Sequence, residues 1–177
     1  MTRSRMILAL ATVIGLAVSV GSATAHDNKH RPEVFRAVLL GENETPSIST
    51  PAFGRFRAVI DEDEPKIHFK LTYQDMTGTV LFAHIHIGQR HTAGGVMVFL
   101  CGGGGKDPCP QPPGGVEAMV EGDIVPLDVL GPTLQGIEPG EFEEVLAAIR
   151  GGNAYANVHT NHNDAFMRGE IRGQLSR

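Results

Sequence analysis

Tryptophan is absent from this chain, and tyrosine occurs only twice. Aromatic stacking on bases or sugars is therefore not a theme its side chains support. Positive charge is also scarce: 15 Lys+Arg stand against 20 Asp+Glu, a net charge of -5 with neutral His. That balance argues against nucleic acid and anionic membrane as partners. Catalytic signatures are missing as well. There is no Gly-x-Ser-x-Gly elbow and no His-Glu-x-x-His pair. The run "GGGGK" is no phosphate loop, because Asp107 follows the lysine and Pro108 blocks a helix there.

Long apolar runs are lacking, with one exception at the start. Met6 to Val20 is apolar, preceded by Arg3 and Arg5 and followed by the small-x-small site Ala23-Thr24-Ala25. It is too short for a comfortable membrane span. Residues 1–25 read as a signal peptide cut before His26, which predicts a secreted or periplasmic protein with no transmembrane segment. Residues 26–33 read as a flexible arm, and 34–175 as one domain with a core of its own. Removing the signal leaves 13 Lys+Arg against 20 acids. A mature chain starting at His26 would also carry the amine and imidazole of a copper brace.

Only two cysteines are present, Cys101 and Cys109. In an exported chain they are expected to pair with each other. The bridge would close a loop of about nine residues, for which chain entropy assigns ~2.5 kcal/mol. That Gly/Pro-rich loop reads as lying outside the strands, so its loss is expected to cost modestly.

What the chain does have is short alternating runs separated by turn signals. "KIHFKLTY" puts Ile67, Phe69, Leu71 and Tyr73 on one face and Lys66, His68, Lys70 and Thr72 on the other. Similar runs occur at 34–40, 52–60, 80–87, 96–100, 116–125, 153–160 and 167–175. One segment, "EFEEVLAAIRGG", has helical spacing in Phe142, Val145, Leu146 and Ile149. The prediction is an all-β antiparallel sandwich, immunoglobulin-like or superoxide-dismutase-like, with one short helix near 141–150.

The chemistry lies in the histidines. In "VLFAHIHIG", His84 and His86 share one strand face, while Ile85 and Ile87 turn towards a core. In "NAYANVHTNHND", His159 shares the polar face with Tyr155 and Asn157, and His162 follows after a turn. Imidazoles at this spacing suit Cu or Zn. The candidate metal ligands are His84, His86, His159 and His162, with Asn157, Glu170 and Arg172 as polar groups that would orient them. Neutral imidazole binds metal, so affinity is expected to fall below about pH 6.5. The same histidines also suit a structural polar cluster that binds nothing. His68, on a lysine-bearing face, is expected to be solvated. The face of Glu170, Arg172 and Gln174 reads equally as a solvated edge.

The segments "FRAVLLGENETPSISTPAFGRFRAVI", "AHIHIG" with "GGVMVFL", "GGNAYANVHT" and "GEIRGQL" occur in an order that resembles the CHRD domain. That family is named for chordin and recurs in secreted bacterial proteins. The resemblance runs from about Val34 to Leu175. It implies a small all-β extracellular or periplasmic domain. Its motifs fall on His84, His86, Asn153, Tyr155, Asn157, His159, Glu170, Arg172 and Gly173. "NHNDAFMRGE" departs from the shorter Pro/Gly turn of many members, which sets His162 apart from the family pattern. The growth-factor antagonism of chordin depends on further domains and does not carry over. The leading expectation is a non-catalytic binding module with a His-based metal site. The alternatives are a structural or protein-interaction domain with an extracellular or periplasmic protein partner, and a dismutase-type metalloenzyme.

Overall fold

The computed structural model describes residues 31–61, 64–112, 114, 116–162 and 169–177. The expected signal peptide and the His26 amine lie outside the described residues. Eight strands and one α-helix follow in the order β1 Glu33–Leu40, β2 Phe53–Asp61, β3 Lys66–Gln74, β4 Val80–Ile87, β5 Val96–Cys101, β6 Ala118–Ile124, α1 Phe142–Arg150, β7 Ala154–Thr160 and β8 Ile171–Gln174. All pairings are antiparallel. The all-β expectation therefore holds.

The strands form one continuous sheet, ordered β5-β4-β7-β8-β1-β2-β3-β6. Its end strands β5 and β6 come into contact, so the sheet curls round a single core. The period-2 pattern explains which side is inside. Phe35, Ala37 and Leu39 of β1, Phe56, Ala58 and Ile60 of β2, and Ile67, Phe69, Leu71 and Tyr73 of β3 are all buried. Ile85 of β4 and Val158 of β7 are fully buried in the same core. Truncating such a residue to alanine costs about 2–5 kcal/mol.

Helix α1 buries Phe142, Val145, Leu146 and Ile149, the stripe its spacing predicts. Glu143 and Glu144 sit in its first turn and Arg150 in its last, matching the helix dipole. The Arg150 guanidinium also reaches Glu33 Oε1 at 2.6–2.7 Å, which ties the helix end to the start of β1.

Cys101 and Cys109 form the expected disulfide, and both are buried. The enclosed loop is less detached than its Gly/Pro content suggests. Cys101 is the last residue of β5. Tyr73 Oη donates to the Pro110 carbonyl at 2.6 Å. Gln111 accepts from the Val80 amide at 2.9 Å and donates to the Val80 carbonyl at 2.8 Å, so its side chain pairs with the start of β4 as a strand would.

Strand β8 is not an edge. It lies between β7 and β1, and Glu170 and Arg172 are 1% and 3% exposed. The solvated-edge reading of this segment is therefore corrected. Every residue of β7 is buried as well, on both faces. The outer face of β4, β7 and β8 is roofed by two loops, 41–50 and 88–95. Thr50 Oγ1 donates to Glu170 Oε1 at 2.7 Å, Arg172 Nη2 to the Gln89 carbonyl at 2.9 Å, and Gln174 Nε2 to the Gly88 carbonyl at 2.9 Å.

Candidate metal centre

The roofed face holds the histidines. Phe82, His84 and His86 line it on β4, and Tyr155, Asn157 and His159 on β7. The register pairs Phe82 with His159, His84 with Asn157 and His86 with Tyr155. His159 thus sits diagonally from His84, a separation that long or aromatic side chains bridge. The β4–β5 register shifts between Ala83 and His84 and again between Ile85 and His86. Such irregularities re-aim side chains near sites.

His84, His86 and His159 each offer a ring nitrogen, and the three atoms lie within 4.8 Å of one another. All three residues are buried, at 5%, 7% and 7% exposure. Nitrogens bound to one tetrahedral ion at 2.0–2.1 Å would stand about 3.4 Å apart. His162 is exposed in the turn after β7 and is outside this cluster. His91 is exposed too, at a positive φ of 64°.

The nitrogens of His84 and His86 are set up unequally. His86 Nδ1 lies 3.0 Å from the Gly94 carbonyl. A carbonyl only accepts, so Nδ1 carries the proton and Nε2 presents a lone pair. Among the described residues, His86 Nε2 and both nitrogens of His84 are buried and find no hydrogen-bond partner. An unsatisfied buried polar atom costs about 1–3 kcal/mol. Gly94 is fitted to its role: a Cβ there would lie 1.5 Å from the Ile87 carbonyl oxygen.

The surroundings keep the rings neutral. Burial pushes His84 down to about 2, with the neighbouring His159 and His86 adding to it. Burial likewise pushes His86 down to about 4, against the opposing bond to Gly94. Phe99 meets His84 edge-on at 4.2 Å, and Phe82 stacks near it at 5.8 Å. His68 behaves in the opposite way. It is half-exposed, bonds to Asp123 at 2.9 Å and Glu121 at 3.2 Å, and is shifted upwards chiefly by Asp123.

The three expected orienting residues divide. Arg172 lies 3.5 Å over the Tyr155 ring, and Tyr155 stacks on His86 at 4.7 Å, so Arg172 acts on the cluster through Tyr155. Asn157 donates to Glu44 Oε1 at 2.6 Å and to the Ile171 carbonyl at 3.0 Å, and so anchors the roof. Glu170 accepts from Thr50, Thr77 and Thr160, joining four segments of chain. Sequence reasoning did not single out Glu44, Gly94 or Phe99. Glu44 lies in a polar loop whose roofing role no local pattern signals. Burial pushes the Glu44 carboxyl up to about 7, opposed by the Asn157 bond and by Arg172.

Among the described residues, no helix is long and apolar enough to cross a membrane. No curated protein and no solved structure matches this chain. The CHRD domain family matches it over residues 35–175, from the first core residue of β1 to the end of the sheet. The roofed histidine face lies wholly within that match, and the chain belongs to the CHRD domain family.

Proposed function

We propose that this protein is an exported, non-catalytic binding module that holds one transition-metal ion, Cu or Zn, on His84, His86 and His159. The observation that carries the reading is the convergence of three buried ring nitrogens within 4.8 Å. Two features support it. The His86 tautomer is set by Gly94 so that Nε2 is a donor atom. Among the described residues, the lone pairs on His84 and His86 have no other partner. A metal would satisfy them and offset the cost of burying them. An all-imidazole set suits Zn and Cu alike. His162 would contribute only if its turn folded back over the cluster.

The disulfide fits an oxidising compartment, which supports export. A structural role without metal is the second reading, favoured by the edge-on packing of His84 against Phe99. A dismutase-type activity would need an open coordination position, for which a 5–7% exposed cluster gives little support.

Elemental analysis of untagged protein, exported natively and purified without chelator, tests the proposal. It predicts close to one equivalent of Cu or Zn per chain, lost in the His84→Ala variant. Metal-free wild type that also takes up neither ion on dialysis would favour the structural reading.

A further inference from the structure

Away from the histidine face, the outer side of β1–β3 carries a row of cations. Arg36 pairs directly with Arg57, and Arg57 directly with Lys70. All three are exposed on the same side of the sheet. Like charges directly opposite one another destabilise a sheet. Nothing local relieves them: among the described residues, their side chains form no hydrogen bond or ion pair. Glu121 stands opposite Lys70 on β6, but its carboxylate is bonded to His68. Arg55 lies beside Arg57 on β2, held over the Phe53 ring at 4.5 Å.

These residues line an open groove of about 750 Å³, completed by Arg90 from the 88–95 loop and, among the described residues, by a single acid, Glu117. Five of the chain's 15 Lys and Arg thus face one groove in a protein of net negative charge. A cleft lined by one sign of charge concentrates partners of the opposite sign.

We infer that this groove binds an anionic polysaccharide, with its acid groups seated on the Arg36–Arg57–Lys70 row. The spacing sets the class. Directly opposite residues on neighbouring strands are about 4.8 Å apart, and same-face neighbours along a strand about 6.8 Å. A linear polymer lying across β1, β2 and β3 meets a cation at each strand. One acidic group per sugar ring matches that repeat, whereas alternate acidic side chains of an extended peptide match the longer one. Guanidinium forks suit carboxylate and sulfate equally. The groove shares no lining residue with the histidine cluster, although Arg90 comes from the loop that roofs it, and its test does not depend on the metal reading.

The test is calorimetric titration of the full mature protein at low salt with oligogalacturonate, dextran sulfate, neutral dextran, inorganic polyphosphate and polyglutamate. The expected result is binding of the carboxylated or sulfated sugar, weakening as salt screens the charges, and none to neutral dextran. The double variant Arg57→Gln/Lys70→Gln should bind at least tenfold more weakly, with an unchanged or higher Tm because the like-charge row is relieved. His84→Ala should leave this binding unchanged. Equal binding by the double variant, no binding of either anionic sugar, or tighter binding of polyphosphate or polyglutamate than of both would overturn the inference. So would a dimer in sedimentation that the double variant abolishes, since a second copy would then fill the groove.

Discussion

The rings of Tyr155 and His86 are stacked, with centroids 4.7 Å apart and 3° between their planes. They come from paired positions on β7 and β4. Arg172, from β8, caps Tyr155 at 3.5 Å. Tyr155 therefore clamps His86 in the orientation that holds Nδ1 on the Gly94 carbonyl and leaves Nε2 available as a ligand. Its hydroxyl adds little, with contacts to Gly94 of 3.2 and 3.4 Å. Tyr155→Leu should lower metal affinity about tenfold or more, whereas Tyr155→Phe should stay within a few-fold of wild type. Equal losses in both variants, measured by competition with a chromophoric chelator, would place the effect in the hydroxyl instead.

The titration of the cluster has a definite sign. His84 and His86 are held neutral, with folded values of about 2 and 4, below the unfolded value near 6.5. Between those limits the unfolded chain binds more protons than the folded one, so stability falls as pH falls. The metal-free protein should lose stability from about pH 6.5 downwards, to about pH 4 for the His86 part and on to about pH 2 for the His84 part. Urea unfolding at pH 7.5, 6, 5 and 4 should show this, and His84→Leu/His86→Leu should flatten the slope. The same shift moves the acid limit of metal binding well below the pH 6.5 expected of ordinary imidazoles. Half-loss of affinity near pH 6.5 would mean that the rings are solvated.

Glu44 works in the opposite direction. Its carboxyl is raised from 4.5 to about 7, so the folded state binds the extra proton between those values. Its contribution is complete below pH 4.5 and is lost as pH rises through about 7. Glu44→Gln keeps an oxygen to accept from Asn157 and removes the buried charge. It should stabilise the protein above pH 7 by on the order of 1–3 kcal/mol and change nothing at pH 4. A loss of stability at pH 8 would contradict the assignment.

The disulfide should matter more than a surface loop's would. Cys101 and Cys109 are 2% and 5% exposed, and the loop between them leads into the Tyr73 and Gln111 bonds. Cys101→Ser/Cys109→Ser should cost at least ~2.5 kcal/mol, because the buried sulfur packing of the disulfide is lost with the crosslink. Chemical denaturation checks this. Alkylation without reductant should leave the mass of native protein unchanged.

Much of this was legible in the chain because period 2 reports burial directly. The alternation in β3 placed Ile67, Phe69, Leu71 and Tyr73 inside, and the helical stripe of α1 was equally plain. His84, His86 and His159 were readable as one constellation because strand faces follow from parity. The depth of the site was not. A polar strand face looks solvated in sequence whether or not a loop covers it, and the roof of 41–50 and 88–95 is a tertiary event. For the same reason Glu170 and Arg172 read as an edge, although β8 lies inside the sheet. The cation row was hidden too, since only the β1–β2–β3 register brings Arg36, Arg57 and Lys70 abreast.

Convergence of His84, His86 and His159 on one metal ion would make their affinities rise and fall together. Calorimetric titration of Zn(II) and Cu(II) into metal-free wild type, His84→Ala, His159→Ala and His68→Ala tests it most directly. Wild type should show a single site, and each of the first two variants at least tenfold weaker binding, about 1.4 kcal/mol. The far-ultraviolet spectrum should change little, and His68→Ala should match wild type. Wild-type binding no tighter than a few hundred micromolar for both ions, or equal affinity in all four proteins, would contradict it.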